Sequence, residues 1–460
     1  MKYVFFTLGG NLLSIAKRLS DEGNEVLVGM LRSDSQMEIP GVKDKETSQE
    51  KIRRMSLYDG MIDKHSVESV FRELGKVRNR DKGDYFFFFD YNDLYNISER
   101  ALKMGFTQGL FPTKFYYLME KERSRAKSFV KANYPSISVA DSFSFKIIQE
   151  GIDFIGDTED KVYVLKSNGN AGGTVVPKTE DTKLAKEILI DTLKKHKREY
   201  EDGGFMFEEK IPNCLEVTPI LAFYEGVPVY SVVEFESKQF GAGDIGLQKG
   251  GNISLNVRTK LDCKLNQMAF PQIIHELAEN HPGLALYDIG LLYNGEDFYF
   301  TEFCAMRYGW DGVFSEMVMR DTDRFFVSSY FEDLVAGRNP LRYKYGVSIR
   351  MFSLCGGTEK TVEPPDGTPI YWDKETENNL FLYRVKKLGH QIVSIGGLDL
   401  LAVATGAEDT LEAAVKKAYR VVSGFVFDNL YYRPEFDFMS KAYKSAIRNR
   451  LAAVFPFIKD

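Results

Sequence analysis

The chain has 460 residues, 44% of them apolar and 27% charged, which gives a globular protein enough core for roughly two to four domains. A net charge of −6 without a dominant basic tract argues against nucleic acid or an anionic membrane as the main partner, and no run of about 18 apolar residues predicts a membrane span. The opening segment lacks a signal peptide's long apolar core, and the four scattered cysteines form no C-x-x-C pair, so we expect a reduced, cytoplasmic setting without a zinc site or disulfide framework.

The first residues predict a strand, a turn, a helix and a second strand. Tyr3–Thr7 is apolar, Gly9 and Gly10 form the turn, Asn11–Glu22 has helical spacing, and Glu25–Met30 is apolar again. This order is typical of a parallel α/β sheet. The turn is not G-x-G-x-x-G and no acidic residue ends the second strand, so a dinucleotide site is poorly supported.

The next segments predict an exposed helix over residues 64–80 and a buried strand over Tyr85–Asp90. Asp90 ends that strand, where open α/β sheets bind ligands. The alternative is a polar loop that caps the following helix. Pro112 opens a helical stretch to about Asn133, which carries Glu120, Arg123 and Lys127 on compatible faces.

A glycine hairpin follows at Val162–Val176 (VYVLKSNGNAGGTVV). Lys166 ends its first strand, and glycines at its tip would let backbone N–H groups approach a phosphate chain while the lysine adds charge. The alternative is an ordinary surface hairpin, because glycine turns are common.

A buried strand, Gly204–Lys210, ends in the paired carboxylates Glu208 and Glu209, and Glu216 follows shortly after. In a nucleotide site, the backbone after such a strand can read the adenine edge and a nearby carboxylate can bind the ribose. A solvated acidic turn is the alternative.

The stretch Lys238–Gly251 (KQFGAGDIGLQKGG) surrounds Asp244 with five glycines. Ordering so many glycines is entropically costly, which favours a loop that wraps around a ligand over a merely flexible surface loop.

Two strands, Leu286–Leu292 and Phe298–Phe303, are joined by an Asn-Gly turn. Glu302 near the end of the second strand is a candidate Mg²⁺ ligand, because Mg²⁺ prefers hard oxygens and bridges phosphates. Asp288 on the partner strand is a second candidate, with an ordinary salt bridge as its alternative.

The C-terminal part has several candidate strands and one clear helix. The strands are predicted at Gly346–Leu354, Leu380–Val385, Gln391–Gly396 and Leu400–Ala404, and the helix at Thr410–Val421.

Taken together, these segments resemble the ATP-grasp superfamily, and more closely the phosphoribosylamine–glycine ligase (glycinamide ribonucleotide synthetase) family, over nearly the whole chain. The most specific match is GAGDIGLQKGG, with the family's glycine spacing around Asp244. Glu302-Phe303 followed by Arg307-Tyr308-Gly309 is similar to the family's metal-binding strand.

Several positions depart from the family pattern. Asn11-Leu12-Leu13 replaces Arg-Glu-His, Asp90–Asp93 replaces a proline-rich substrate loop, and Cys304 replaces a metal-binding asparagine. Cysteine is a poor Mg²⁺ ligand. The first two regions hold phosphoribosylamine in the family, so nucleotide handling is expected to be retained while the substrates are open.

The resemblance implies an α/β, multidomain ATP-grasp fold, with a Rossmann-like domain over residues 1–110, an ATP-grasp domain over 111–340 with a lid over about 139–210, and a small α/β domain over 341–460. It implies an ATP-dependent ligase that joins a carboxylate such as glycine to an amine through an acyl phosphate, acts in purine biosynthesis, and is a monomer or homodimer. The alternatives are a ligase for another amino acid or amine, a nucleotide-binding protein without turnover and, least favoured, a dehydrogenase.

The resemblance also assigns roles to individual residues. The nucleotide would be bound by Arg123, Lys166, Gly169, Gly172, Gly173, Glu208, Glu209, Ile211 and Glu216. Mg²⁺ would be bound by Glu302 and Asp288, and Lys166, Asp244 and Arg307 would be catalytic. The other substrates would contact Gly9, Gly10, Asn11, Asp90, Lys238, Asp244, Gly246 and Arg307.

Overall fold

A computed structural model describes most of the chain. The described residues are 1–31, 48–158, 161–167, 174–241, 245–271, 283–304, 311–321, 326–353, 366–397, 400–434, 436, 438–439 and 446–459. None of the helices within these ranges is both long and apolar enough to cross a membrane.

The N-terminal part is a parallel sheet in the order β3-β2-β1-β4. Its strands are β1 (Lys2–Thr7), β2 (Glu25–Met30), β3 (Lys64–Ser66) and β4 (Tyr85–Phe89). Its helices are α1 (Leu13–Asp21), α2 (Ser48–Met55), α3 (Val67–Leu74) and α4 (Tyr95–Lys103), with 3₁₀ turns at Asn79–Asp84 and Asn92–Leu94.

The run of phenylalanines in β4 explains why this sheet is covered on both faces. Phe86 and Phe88 pack into the large core, whereas Phe87 and Phe89 pack into a separate cluster against α3. Alternate residues of a strand point to opposite faces, so a continuous apolar strand must be buried on both sides. The helix expected over residues 64–80 is shorter, because Ser66 caps α3 by accepting from the Ser69 N–H.

The chain then crosses to a small antiparallel sheet in the order β5-β8-β6-β7. The single helix expected up to Asn133 is two helices, α5 (Lys114–Lys121) and α6 (Arg123–Asn133), which break at Glu122. The sheet comprises β5 (Ser142–Phe145), β6 (Tyr163–Ser167), β7 (Thr174–Val175) and β8 (Phe205–Glu209). Its helices are α7 (Ile148–Asp157), α8 (Thr182–Lys195) and α9 (Lys197–Gly203).

The largest element is a nine-stranded antiparallel sheet whose strand order is β13-β12-β9-β10-β11-β14-β19-β16, with β21 beside β14. Its strands are β9 (Leu215–Tyr224), β10 (Val227–Gly241), β11 (Ile245–Thr259), β12 (Leu284–Tyr293), β13 (Phe298–Phe303), β14 (Tyr345–Ser353), β16 (Leu380–Leu382), β19 (Leu400–Glu408) and β21 (Leu430–Tyr432). The sheet is continuous across the expected boundary at residue 340, since β11 pairs with β14.

Helices and short hairpins complete the fold around this sheet. The helices are α10 (Lys264–Ala269), α11 (Asp311–Val318), α12 (Val327–Val335), α13 (Leu411–Ser423) and α14 (Ala446–Ile458). The strand pairs are β15 (Tyr371–Trp372) with β20 (Phe425–Val426), and β17 (Val385–Leu388) with β18 (Gln391–Ser394), and a 3₁₀ turn spans Lys374–Asn379.

The expected glycine-rich loop over Lys238–Gly251 is wrong for the described residues, which form the ends of β10 and β11. The glycines have a packing reason here. Gly250 has a positive φ of 63°, and a Cβ at this position would lie 2.3 Å from Nη1 of the buried Arg350. Glycine therefore lets the hairpin pass over a buried arginine.

Candidate active site

Two buried lysines share one buried carboxylate where α6 meets the small antiparallel sheet. The Lys127 Nζ on α6 lies 2.5 Å from Glu208 Oε2 on β8, and the Lys166 Nζ on β6 lies 2.7 Å from Glu208 Oε1. The three residues are only 5%, 8% and 4% exposed, respectively. Lys127 also donates to the Ala140 carbonyl at 3.2 Å.

The charges in this lysine–glutamate triad do not balance. Burial alone would raise the pKa of Glu208, but the two ammonium groups outweigh it and hold that pKa below its ordinary value. Burial lowers the pKa of Lys127, against the attraction of Glu208, because the charged form loses its water. Buried charges are stable only when they are compensated. The two lysines carry one positive charge more than Glu208 can neutralise, so the triad can bind an anion.

A second charged cluster lies beside the triad. Arg123 stands one helical turn before Lys127 on α6, and its Nη1 lies 3.3 Å from Glu302 Oε2 on β13. Lys238 on β10 pairs with Glu216 on β9 at 2.5 Å between Nζ and Oε1. Burial would lower the pKa of Lys238, but Glu216, Glu236 and Glu302 together hold it above its ordinary value. Glu302 is therefore paired with Arg123 and lies within electrostatic reach of Lys238.

The donor set around Glu302 is compatible with Mg²⁺. Gly290 of β12 pairs with Glu302, and alternate strand residues share a face, so Asp288 and Glu302 project from the same face of the sheet. Asp288 is 4% exposed, and the side chain of Glu302 is 45% exposed. Within the described ranges no group of three or more His, Cys, Asp or Glu residues could hold a metal. Mg²⁺ at phosphate sites is usually bound by one or two carboxylates plus phosphate oxygens, so this pair fits such an ion.

The paired carboxylates Glu208 and Glu209 point in opposite directions. Glu208 enters the triad, whereas Glu209 forms a half-exposed ion pair with Lys161 at 2.6 Å. The Ile211 carbonyl accepts a bond from the Cys214 thiol at 3.4 Å. The side chain of Glu208 thus faces two lysines, and Glu216 forms an ion pair with Lys238. That Glu208, Glu209, Ile211 and Glu216 contact a nucleotide stays a prediction.

The turn after β1 is braced by Asp90, which is 2% exposed. Its Oδ2 accepts bonds from Thr7 Oγ1 at 2.5 Å and from the Gly9 N–H at 3.1 Å, and both its oxygens accept from the Leu8 N–H. Burial outweighs these bonds and raises the pKa of Asp90 to about 6. The carboxylate fixes the loop, which leaves Gly10 and Asn11 at the carboxyl end of β1.

Asn11 is held at this strand end by a side-chain hydrogen bond. Its Nδ2 donates to the Tyr91 hydroxyl at 2.9 Å. Gly9 lies directly under that hydroxyl, since a Cβ there would lie 3.0 Å from it. The structure therefore brings Gly9, Gly10, Asn11 and Asp90 together at the carboxyl ends of β1 and β4, the edge at which doubly wound sheets bind ligands.

Several residues assigned from the sequence lie outside the described ranges. They are Gly169, Gly172, Gly173, Asp244 and Arg307. Gly246, which is described, is exposed and has a positive φ of 87°.

Lys127 is the main residue that sequence reasoning did not assign to the site. The available signal is its position four residues after Arg123, which places both side chains on one face of α6. That signal is ambiguous because a lysine at helical spacing usually points to solvent.

Comparison of the sequence with protein-family models and with curated proteins gives no match. Among similar solved structures is phosphoribosylamine–glycine ligase from Thermotoga maritima, with a TM-score of 0.61 and 17% identity, covering 94% of this chain and 99% of that one. Another is biotin carboxylase from Campylobacter jejuni in complex with a β,γ-ATP ligand, with a TM-score of 0.60 and 13% identity, covering 98% of each chain.

A third is the biotin carboxylase domain of 2-oxoglutarate carboxylase from Hydrogenobacter thermophilus, solved with magnesium ADP and bicarbonate. Its TM-score is 0.57 at 13% identity, covering 99% of this chain and 98% of that one. At such identities the likeness shows the fold, which is the mixed α/β, multidomain ATP-grasp fold. The predicted fold class is confirmed.

Proposed function

We propose that the protein is an ATP-dependent ligase that activates a carboxylate as an acyl phosphate and passes it to an amine. The observation that supports this most directly is the triad, in which Lys127 and Lys166 share the single carboxylate of Glu208. A phosphate group would supply the missing negative charge in a site that excludes water. Catalysis of phosphoryl transfer depends mainly on such charge compensation and positioning.

In this proposal the nucleotide lies between the small sheet and the nine-stranded sheet. Lys127, Lys166 and Arg123 compensate the phosphates. Glu302 and Asp288 would hold Mg²⁺, which when bound neutralises phosphate oxygens and favours their transfer. The hairpin glycines would close over the phosphates, and the backbone near Ile211 would meet the adenine.

The proposed reaction consists of two successive displacements. A carboxylate oxygen attacks the γ-phosphorus of ATP and ADP leaves, which gives an acyl phosphate. The amine nitrogen then attacks the acyl carbon, phosphate leaves, and the amine gives up a proton. Asp244 and Arg307 are proposed to face these reacting groups, and exclusion of water would protect the acyl phosphate from hydrolysis.

The other substrates are proposed to bind at the carboxyl ends of β1 and β4, beside Gly9, Gly10, Asn11 and Asp90, with Lys238 as a further contact. The narrow form of the proposal is glycine joined to phosphoribosylamine, as in purine biosynthesis. The broader form joins a different amino acid or amine. Only the sequence resemblance to the family supports the narrow form. Tyr91 packs tightly over Gly9 at this strand end.

The test is ADP release from the purified protein with Mg-ATP and pairs of substrates. We expect ADP only when a carboxylate and an amine are both present, with glycine plus phosphoribosylamine assayed first and a panel of amino acids and amines next. The mass of the product identifies the new bond. Bicarbonate is included in the panel, because ADP release that depends on bicarbonate would indicate a carboxylation instead of the proposed ligation. Tight ATP binding without turnover over the whole panel would contradict a ligase and leave a nucleotide-binding protein.

A further inference from the structure

The Glu216 carboxylate on β9 is held by the protein at one of its two oxygens. Its Oε1 accepts a hydrogen bond from the Lys238 ammonium on β10, at 2.5 Å from Nζ. Its Oε2 accepts no hydrogen bond within the described ranges and keeps accessible surface, and the side chain is 27% exposed. A ligand can therefore reach this second oxygen, and a carboxylate oxygen accepts hydrogen bonds.

Lys238 is in turn held by a second carboxylate, from its own strand. The Glu236 Oε2 lies 3.6 Å from the Lys238 Nζ. Strands β9 and β10 pair with Glu234 opposite Thr218. Because alternate strand residues share a face, Glu216, Glu236 and Lys238 project from the same side of the nine-stranded sheet.

Gly251 on β11 leaves the space in which the Glu236 carboxylate lies. A Cβ at Gly251 would lie 2.5 Å from Glu236 Oε1 and 3.2 Å from its Cδ. Gly251 does not share the positive φ of Gly250, so an alanine there would not strain the backbone. It would instead displace the end of the flexible Glu236 side chain, which removes one support of Lys238.

The charges of this group reverse those of the lysine–glutamate triad. Here two carboxylates share one ammonium, whereas in the triad two ammonium groups share one carboxylate. Among these three residues Lys238 has no excess charge with which to compensate a phosphate. It can keep Glu216 ionised and fix the direction in which the second oxygen of that carboxylate points.

We propose that Lys238 is a positioning residue for the ribose of the bound nucleotide: supported by Glu236 and Gly251, it holds Glu216 so that Oε2 accepts a hydrogen bond from a ribose hydroxyl. The inference rests on the proposed function, because it needs a nucleotide at this site. It adds the residues that would select a ribonucleotide over a deoxyribonucleotide. An ammonium group has three N–H donors, so Lys238 can still contact another substrate as well.

The test compares the affinities of the protein for ATP, 2′-deoxyATP and 3′-deoxyATP, each with Mg²⁺. Calorimetry measures them without any need for turnover. The unmodified protein should bind ATP about tenfold more tightly than at least one of the deoxynucleotides, the effect typical of one hydrogen bond to a charged group. Glu216→Ala, which removes the acceptor, should abolish this preference.

Lys238→Met leaves the Glu216 carboxylate in place and removes the group that holds it. The readout is the ratio of the affinities for ATP and the deoxynucleotide, because the loss of a positive charge weakens the binding of both nucleotides alike. We expect the ratio to fall below about threefold, as expected when one charged hydrogen bond is largely lost. Gly251→Ala changes no charge, and it should lower the ratio in the same direction by a smaller factor.

Lys417→Met is the matched control. Lys417 on α13 forms an ion pair with Glu408, and these side chains are 32% and 27% exposed, compared with 29% and 27% for Lys238 and Glu216. The control therefore removes a lysine from an equally exposed pair elsewhere in the fold. Its ratio should stay within about twofold of that of the unmodified protein.

Two results would overturn the inference and leave the proposed ligase activity untouched. One is an unmodified protein that binds ATP and both deoxynucleotides with equal affinity. The other is a Lys238→Met protein that keeps the full preference for ATP. If the unmodified protein binds no ATP at all, the proposed function itself is wrong and the inference fails with it.

Discussion

Two buried carboxylates, Glu208 in the triad and Asp90 under the first turn, respond to burial in opposite ways. Glu208 is 4% exposed and faces two ammonium groups, which keep its pKa below the ordinary value. Asp90 is 2% exposed and faces only neutral donors, and its pKa rises to about 6. The triad therefore carries an excess positive charge that an anion can neutralise. In the Asp90 cluster, by contrast, the carboxylate is hydrogen-bonded to the protein's own donors and fixes the shape of the turn.

The largest effect is expected from removing one lysine of the triad. Lys166→Met leaves Glu208 paired with Lys127 alone, which is a neutral pair, so the fold should be retained. Turnover should fall by about 10³-fold or more, since a charge that compensates the transferred phosphoryl group is lost. The measurement is kcat for ADP release beside the free energy of unfolding in urea.

Lys161→Ala is the matched control, because this neighbouring lysine pairs with Glu209 in a half-exposed ion pair. Exposed pairs contribute little, so we expect its activity and stability to stay near those of the unmodified protein. Near-normal turnover of Lys166→Met would refute the assigned role of Lys166.

Removing the carboxylate instead should damage the fold. Glu208→Gln leaves two adjacent ammonium groups buried without a counter-charge, which should cost about 3–5 kcal/mol of unfolding free energy. Inorganic phosphate or ATP should restore more stability to this variant than to the unmodified protein, because an anion replaces the lost charge. Urea unfolding with and without ligand measures both.

Glu209→Gln provides the comparison, and its unfolding free energy should change by less than about 1 kcal/mol. A Glu208→Gln protein as stable as Glu209→Gln would mean that the two lysines are not held as charged groups around a shared carboxylate.

The Asp90 cluster should respond to pH rather than to anions. Its folded pKa of about 6 lies above the ordinary 3.8, so the folded state holds the proton more tightly between these values. This stabilisation is complete below pH 4 and is lost as the pH rises through about 6, by up to about 3 kcal/mol in total. Asp90→Asn should remove this contribution from the pH dependence of urea unfolding. An unchanged slope between pH 4 and 7 would contradict the raised pKa.

Local features of the fold could be predicted from the sequence better than features that depend on distant residues. Tyr3–Thr7, Glu25–Met30 and Phe298–Phe303 read correctly as strands because short apolar runs bounded by turn residues are local signals. The break at Glu122 between α5 and α6 could not be predicted, because no proline or glycine marks it in the sequence.

The composition of the triad could not be predicted in the same way. Glu208 follows Lys127 by 81 residues, so only the tertiary fold brings them together. The sequence assigned the adjacent carboxylates Glu208 and Glu209 to the same nucleotide, with an acidic turn as the alternative, although strand alternation sends their side chains to opposite faces. The sequence around Gly250 predicted a loop because the buried Arg350, which leaves no room for a side chain at Gly250, is distant in sequence.

The smallest effect is expected at the edge of the Asp90 cluster. Tyr91→Phe removes the hydroxyl that accepts the Asn11 amide at 2.9 Å, a part-buried bond worth about 1 kcal/mol of stability. If this strand end holds the amine or carboxylate substrate, the freed Asn11 should raise the KM for that substrate a fewfold and leave the KM for ATP unchanged, because the triad is untouched. Steady-state kinetics with each substrate varied in turn measures the two constants. A rise in the KM for ATP alone would instead place this strand end at the nucleotide and contradict the division of roles between the two clusters.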